Sequence, residues 1–437
     1  MSDVFTVFEH SRTKGFDLTD RENDALQQLN TRLGVQVLRA EYKGELTAFQ
    51  YVGIVRIGTR AIHILPKIYP PTSDDVTTED HVKDATKNLF YLLSYANKLK
   101  IYEHDLADLL RSDKSWFELL IHFFSSNLLK EWQRGASRSY ELIEDQLPFL
   151  RGKLQVREQL RHPARQHLFA ITTDELSIDN QLNRIFRYVV ERLHLVTFDE
   201  ENRRRLGTLR RYMAGVTLLS NISRGDVKNV RLTRLNQQYG TLLNMALLFL
   251  DDGALQLSAG DCTSFAFVFD MNKLFESFMV NFIQRHREEI LPDSLKACAL
   301  FPQSTGLPFH LSTRDGVPVR KMKPDLLFAD QDEGIYPLLL DLKYKKLESH
   351  ISGADMNQMS AYVLATSQYA LPSKCRKVLV LYPQTSEMAK PRYLQEKISG
   401  SEIPVIGATI DLRLNLEKPE GTSKLIADLR NVMGKEQ

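Results

Sequence analysis

KPDLLFADQDEGIYPLLLDLKY, residues 323–344, is two apolar runs separated by a turn. Asp325-Leu-Leu-Phe-Ala329 predicts a strand, Gln331-Asp-Glu-Gly334 a turn, and Tyr336 to Lys343 a second strand. Side chains alternate faces along a strand, so Asp341 and Lys343 point the same way while Leu340 and Leu342 enter the core. Paired as a hairpin, the two strands bring Asp325 to the same end. Ionic groups inside an apolar strand are costly unless they are paired, which marks this stretch as functional.

The chemistry that fits two carboxylates and a lysine at one point is phosphodiester hydrolysis. The carboxylates of Asp325 and Asp341 are hard ligands for Mg²⁺, an ion that keeps several positions for water and phosphate. Lys343 orients or deprotonates the attacking water and offsets charge on the phosphate. Working outward, Asp270 to His286 predicts a helix in which Leu274, Phe275, Phe278, Met279 and Phe282 form the buried stripe. Glu276 flanks that stripe and is the expected third carboxylate, both catalytic and metal-ligating. Downstream, Asp355 to Ala365 predicts a helix with Gln358 and Tyr362 four residues apart on one face. Gln358 completes the expected catalytic set of Asp325, Asp341, Lys343, Glu276 and Gln358.

Strand-like runs at 377–382 and 403–412 complete a C-terminal part, 261–437, in which helices and strands alternate. A strand pair followed by helix-then-strand units implies a mixed sheet flanked by helices. The first part, 1–80, reads as β-rich. Tyr51-Val-Gly-Ile-Val-Arg-Ile57 and Arg60-Ala-Ile-His-Ile-Leu65 flank Gly58-Thr59, a hairpin signature, and PTSDDVTTED (71–80) reads as a linker. Between them, 81–260 is predicted to be helical, from the spacing of apolar residues in 89–96, 116–124, 181–193 and 241–250. Asp179 or Asn180 is the expected N-cap of the third of these. Within this part, residues 203–234 hold nine Lys/Arg against one acid, Asp226, a patch able to follow a DNA backbone. The fold class is therefore α+β multidomain.

Composition narrows the alternatives. The chain has 437 residues, 43% of them hydrophobic, with a formal net charge of +2, so bulk charge does not mark a nucleic-acid binder. Three scattered cysteines, Cys262, Cys298 and Cys375, argue against a disulfide framework or a zinc ribbon. No signal-peptide core opens the sequence and no apolar run approaches ~18 residues, so a cytoplasmic location is expected. There is no G-x-x-x-x-G-K-[ST], so an NTP-driven motor would have to be another chain.

At this point the sequence resembles the McrC family, the nuclease subunits of McrBC-like, modification-dependent restriction systems. The set Asp325, Asp341 and Lys343, with Gln358 and Tyr362, is similar to that family's PD-(D/E)xK core. Trp132-Gln-Arg-Gly135, Tyr140, Glu144, Leu147-Pro148 and Leu150-Arg-Gly-Lys153 resemble its R-G-x-Y…E…L-P-x-L-R-G-[KR] block, with Tyr140 displaced by three residues. Asp174-Glu-Leu-Ser-Ile-Asp-Asn-Gln-Leu-Asn183 resembles the family's S-x-D…x-N helix start. Tyr51-Val-Gly-Ile-Val and Ile-Leu-Pro-Lys67 resemble its N-terminal segment. The resemblance implies a restriction-endonuclease-like C-terminal domain and a GTP-hydrolysing, McrB-like AAA+ hexamer as partner. That partner carries DNA recognition, and the N-terminal region of the McrC-like chain docks on it, with Thr59-Arg60 as a candidate contact. The implied substrate is double-stranded DNA with methylated or hydroxymethylated cytosine, although some relatives read unmodified sequence. Two other functions stay open: a stand-alone repair or recombination nuclease of the same fold, and a non-catalytic DNA-binding regulator of a GTPase.

Overall fold

A computed structural model of the chain describes residues 4–41, 44–58, 60–67, 79–96, 115–161, 167–251, 264–303, 310, 313–314, 317–319, 321–367, 374–384, 391–414, 416 and 418–434. Contacts divide the chain into two compact units. One joins residues 1–111 to 258–437, and the other is 112–257. These limits differ from the three-part division expected near 80 and 260, because the helix Glu79–Tyr95 and the strand after residue 263 both belong with the N-terminal sheet's unit. Linker residues 71–78, Thr59 and Cys262 lie outside the described residues.

The first unit begins with strands β1 (Val4–Phe8), β2 (Arg12–Lys14), β3 (Leu38–Glu41), β4 (Glu45–Ala48), β5 (Tyr51–Ile57) and β6 (Arg60–Leu65). The helix Asp20–Leu33 starts where Thr19 and Glu22 cap each other's backbone and ends on left-handed Gly34. β2, β4 and β3 form a small antiparallel sheet. β5 and β6 pair as the expected hairpin, and β1 lies parallel to β6. Leu26 and Leu29 from the helix pack with Val55, Ile62 and Ile64 into one core.

The second unit, taken by itself, contains helices Trp116–Arg134, Gln181–Val196, Glu200–Tyr212 and Gly240–Asp251. The rings of Phe124, Phe186 and Phe249 meet edge-on, with centroids 5.6–6.2 Å from Phe124. The sequence predicted a helical region here, but the unit also holds a sheet. β7 (Ser139–Leu147), β8 (Lys153–Leu154) and β9 (Phe169–Ser177) form a sheet in which β7 and β9 pair along their whole length. Tyr140, Leu142 and Leu176 are exposed on it, so no buried face imposes the apolar–polar alternation by which a strand is recognised.

Polar knots fix this unit. Asn180 caps the helix Gln181–Val196 and, with Asn183, donates to the Ser137 carbonyl. Buried Glu118 accepts from Thr197 Oγ1, the Phe198 amide and Asn202 Nδ2. Asp179 accepts from both Arg184 nitrogens and from the amide and hydroxyl of Thr217.

The chain then returns to the first unit. β10 (Ser264–Asp270) pairs antiparallel with β5 and completes the four-stranded sheet β1-β6-β5-β10. The two backbones approach so closely at Gly53 that a Cβ there would collide with the Phe267 carbonyl. Asp270 caps the helix Met271–Arg285. Beyond it come β11 (Ala299–Pro302), the short pair β12 (Thr313–Arg314) and β13 (Val317–Pro318), β14 (Leu326–Asp330), β15 (Ile335–Leu342), β16 (Val378–Pro383), β17 (Tyr393–Lys397) and β18 (Pro404–Ile410). Six of these make a mixed sheet in the order β11-β14-β15-β16-β18-β17, antiparallel at both ends and parallel across β15, β16 and β18. The helices Gly353–Ser367 and Pro419–Gly434 accompany it; Met359 and Tyr362 from the first pack on Leu327, Leu339 and Val380. Among the described residues no helix is long and apolar enough to cross a membrane.

Candidate functional site

The β14–β15 hairpin forms with the register Leu326↔Leu340, which one step further sets Asp325 opposite Asp341. Leu326, Leu340 and Leu342 are buried, so the apolar residues of both strands hold the pairing while the aspartates are carried on the other face. Asp325 Oδ2 accepts the Leu342 amide at 2.7 Å, and Lys343 Nζ lies 2.7 Å from Asp341 Oδ2. Asp341 is itself 1% exposed. The hydrogen bond from the Lys343 amide to the Leu381 carbonyl, 2.9 Å, fixes the end of the strand against β16.

Glu276 comes to the same place from the helix Met271–Arg285, whose stripe of Leu274, Phe275, Phe278, Met279 and Phe282 is fully buried. It is half-buried. Burial raises its pKa; Lys343 pulls against that shift and Asp341 adds to it. Asp325 is pushed up to about 7, first by burial and then by the charges of Asp341 and Glu276. Burial also raises Asp341, opposed by Lys343. Gln358 Nε2 donates to Tyr362 Oη at 2.6 Å, and Tyr362 in turn reaches Asp341 and the Lys323 carbonyl. Tyr362 is thus both a core residue and part of the rim of the carboxylate group.

The five expected catalytic residues therefore converge, from two strands and two helices. Asp341 and Glu276 raise the pKa of Asp325, and Asp341 raises that of Glu276, while Lys343 pulls against the shift of all three carboxylates. Among the described residues no three His, Cys, Asp or Glu side chains are gathered closely enough to form a ready-made metal cage. The donor set nevertheless suits a hard divalent ion that takes one or two carboxylates and keeps its remaining positions for water. Such an ion would relieve the repulsion between Asp325 and Asp341.

Sequence reasoning did not find the supports on either side of Lys343. Lys345 Nζ lies 2.8 Å from Asp355 Oδ2, and the Tyr382 hydroxyl donates to the same carboxylate at 2.9 Å. Tyr344 donates to buried Glu9, in the turn that follows β1. The resemblance covered Lys67 but gave it no role, and Glu9 left no signal. The basic run of the second unit is partly used internally: Arg205 pairs with Glu201, Arg210 with Glu191, and Arg203 donates to the Thr197 carbonyl. Arg224, Lys228, Arg231 and Arg234 are exposed.

Fold and site together define a class: a multidomain α+β protein whose C-terminal mixed sheet carries a buried carboxylate–lysine centre. Residues 46–383 match the family described as the McrBC 5-methylcytosine restriction system component, and the chain belongs to that family. A chain in a refined half-complex from a tetradecameric assembly of Thermococcus gammatolerans McrB AAA+ hexamers with bound McrC shares the fold. It covers 98% of this chain and 100% of its own length, at 23% identity and a TM-score of 0.64. A chain of the Thermococcus gammatolerans McrBC complex, solved by cryo-EM, covers 65% of this chain and 88% of its own length, at 27% identity and a TM-score of 0.51. No curated protein matches the chain.

Proposed function

We propose that this chain is the nuclease subunit of an McrBC-like restriction complex, a Mg²⁺-dependent endonuclease of the PD-(D/E)xK type. The observation that carries this is the meeting of Asp325, Asp341 and Lys343 at one end of the β14–β15 hairpin, with Glu276 beside them. Family membership over residues 46–383 supports it. Asp325, Asp341 and Glu276 would hold the ion, which when bound supplies charge neutralisation on the phosphate and a more acidic water. Lys343 holds or gives up a proton at Nζ beside Asp341 and offsets charge that develops on the phosphate oxygens. Gln358, through Tyr362, orients the hydrogen-bond acceptors at the rim.

The partner is an McrB-like AAA+ hexamer, as in the solved complexes. In this reading GTP is bound and hydrolysed by the partner and not by this chain. The substrate is double-stranded DNA carrying modified cytosine, and the setting is cytoplasmic defence against phage. The three-part reading of the chain assigns docking to residues 1–80, a basic surface to 81–260 and cleavage to 261–437. The test is plasmid cleavage with Mg²⁺, GTP and the neighbouring GTPase, on methylated and unmethylated DNA, with Lys343→Ala beside wild type. Cutting that needs GTP and the partner and is lost in the mutant supports the reading. Cutting by the chain alone favours a stand-alone nuclease, and equal cutting by the mutant removes the site assignment.

A further inference from the structure

Immediately after Lys343 the chain changes partners. Lys343 turns to Asp341, whereas the next residue, Tyr344, turns to the N-terminal sheet's connections. The Tyr344 hydroxyl donates to Glu9 Oε1 at 2.5 Å, across 335 residues of sequence. The Lys67 amide donates to the same oxygen at 2.8 Å. Lys67 Nζ donates to the Tyr344 carbonyl at 3.0 Å and sits 4.4 Å from the centre of its ring. The ring also neighbours Phe275, 5.6 Å between centroids, on the helix that carries Glu276. Glu9 and Tyr344 are 2% and 5% exposed.

Such a cluster is expensive to bury. Glu9 Oε2 is buried without a hydrogen-bond partner, and burial pushes the Glu9 carboxyl up to about 7. An apolar contact would have joined the sheet to the strand at less cost. What the polar cluster adds is direction: two donors on one oxygen and a lysine on one carbonyl fix Tyr344 in both side chain and backbone.

We propose that Glu9 and Lys67 are positioning residues for phosphodiester cleavage, acting through Tyr344 to hold Lys343 in register with Asp341 and Asp325. Two residues outside the mixed sheet then set the geometry of the reacting end of β15. The inference rests on the nuclease reading and specifies how the site is held. Supporting groups of this kind matter because small displacements of a reacting side chain are costly in rate.

The experiment measures cleavage of modified plasmid by the full chain with its GTPase partner, GTP and Mg²⁺. Glu9→Ala, Lys67→Met and Tyr344→Phe are each expected to lower kcat by about 10-fold to 100-fold. KM for DNA and the partner's GTP hydrolysis stay at wild-type values. Glu9→Gln, which keeps an oxygen acceptor for both donors, restores cutting to near wild type. Combining Glu9→Ala with Tyr344→Phe is no worse than either alone, since both break one path. Hydrogen exchange across residues 341–346 rises in Glu9→Ala and Tyr344→Phe and not in Glu9→Gln, a readout that needs no activity. Undiminished kcat in folded Tyr344→Phe overturns the proposal. So do additive losses, or losses of kcat, DNA affinity and GTPase stimulation in proportion, which would mean general damage. If wild type does not cut, or Lys343→Ala cuts as wild type does, the nuclease reading fails and this inference with it.

Discussion

Asp179 and Asp325 are the same residue under opposite regimes. Asp179, in the second unit, accepts from Arg184 and Thr217, and these partners hold its carboxyl well below the usual carboxylate range. Asp325, in the first, is buried near two other carboxylates and is pushed up to about 7. A satisfied charge holds a fold together; a charge left under repulsion costs stability and is kept for chemistry. The contrast extends to their neighbours, since Asn180 and Glu118 are likewise consumed by hydrogen bonds while Glu276 and Asp341 are crowded.

The largest expected effect tests the Asp325 side. Asp325→Asn keeps an acceptor for the Leu342 amide but removes a charge. Cleavage should fall by about 1,000-fold or more, as for removal of a key electrostatic group, while the melting temperature holds or rises. A fall in melting temperature with cutting intact would reverse the comparison. Glu9 comes next. Its pKa is raised from 4.5 to about 7, so the fold prefers it protonated. That contribution is fully present below pH 4.5 and is lost as pH rises through about 7. The loss is on the order of 3 kcal/mol. Thermal melts between pH 5 and 8 should show wild type losing ground to Glu9→Gln; parallel curves would mean the carboxyl is not perturbed.

The Asp179 side is tested by Asp179→Ala, expected to cost about 2 kcal/mol because charged hydrogen bonds are broken. Its cleavage at temperatures well below melting should match wild type, and a selective loss of cutting would place Asp179 in the functional machinery instead. The smallest effect is at the surface. Arg204 and Glu200 form an exposed pair, so Arg204→Ala should change stability by less than about 0.5 kcal/mol. If Arg204 follows a DNA backbone, the salt dependence of DNA binding should weaken by about one counterion; an unchanged slope removes it from the path.

The β14–β15 hairpin was legible in sequence because local rules agree there: two apolar runs, a Gly-bearing turn, and period-two placement of Asp341 and Lys343. Glu276 was legible from the apolar stripe beside it. β7 and β9 were not, because Tyr140, Leu142 and Leu176 are exposed and no buried face writes a pattern. β10 was not predicted, and its pairing with β5 is a contact between distant segments that local pattern does not encode. Glu9, Lys67 and Tyr344 were hidden for the same reason: each is ordinary in its own neighbourhood, and the cluster exists only once the chain has closed.

β10 also has a consequence in time. The four-stranded sheet takes its last strand from residues 264–270, after the whole of the second unit has been spelled out. During synthesis, units emerge in order and fold as they become complete. Residues 112–257 are therefore ready first, although they come second, while β5 waits with an open edge for its partner. A ribosome stalled or a gene truncated before residue 264 would release a chain whose inserted unit is finished and whose outer unit is still unclosed, with β5 free to pair with the wrong neighbour.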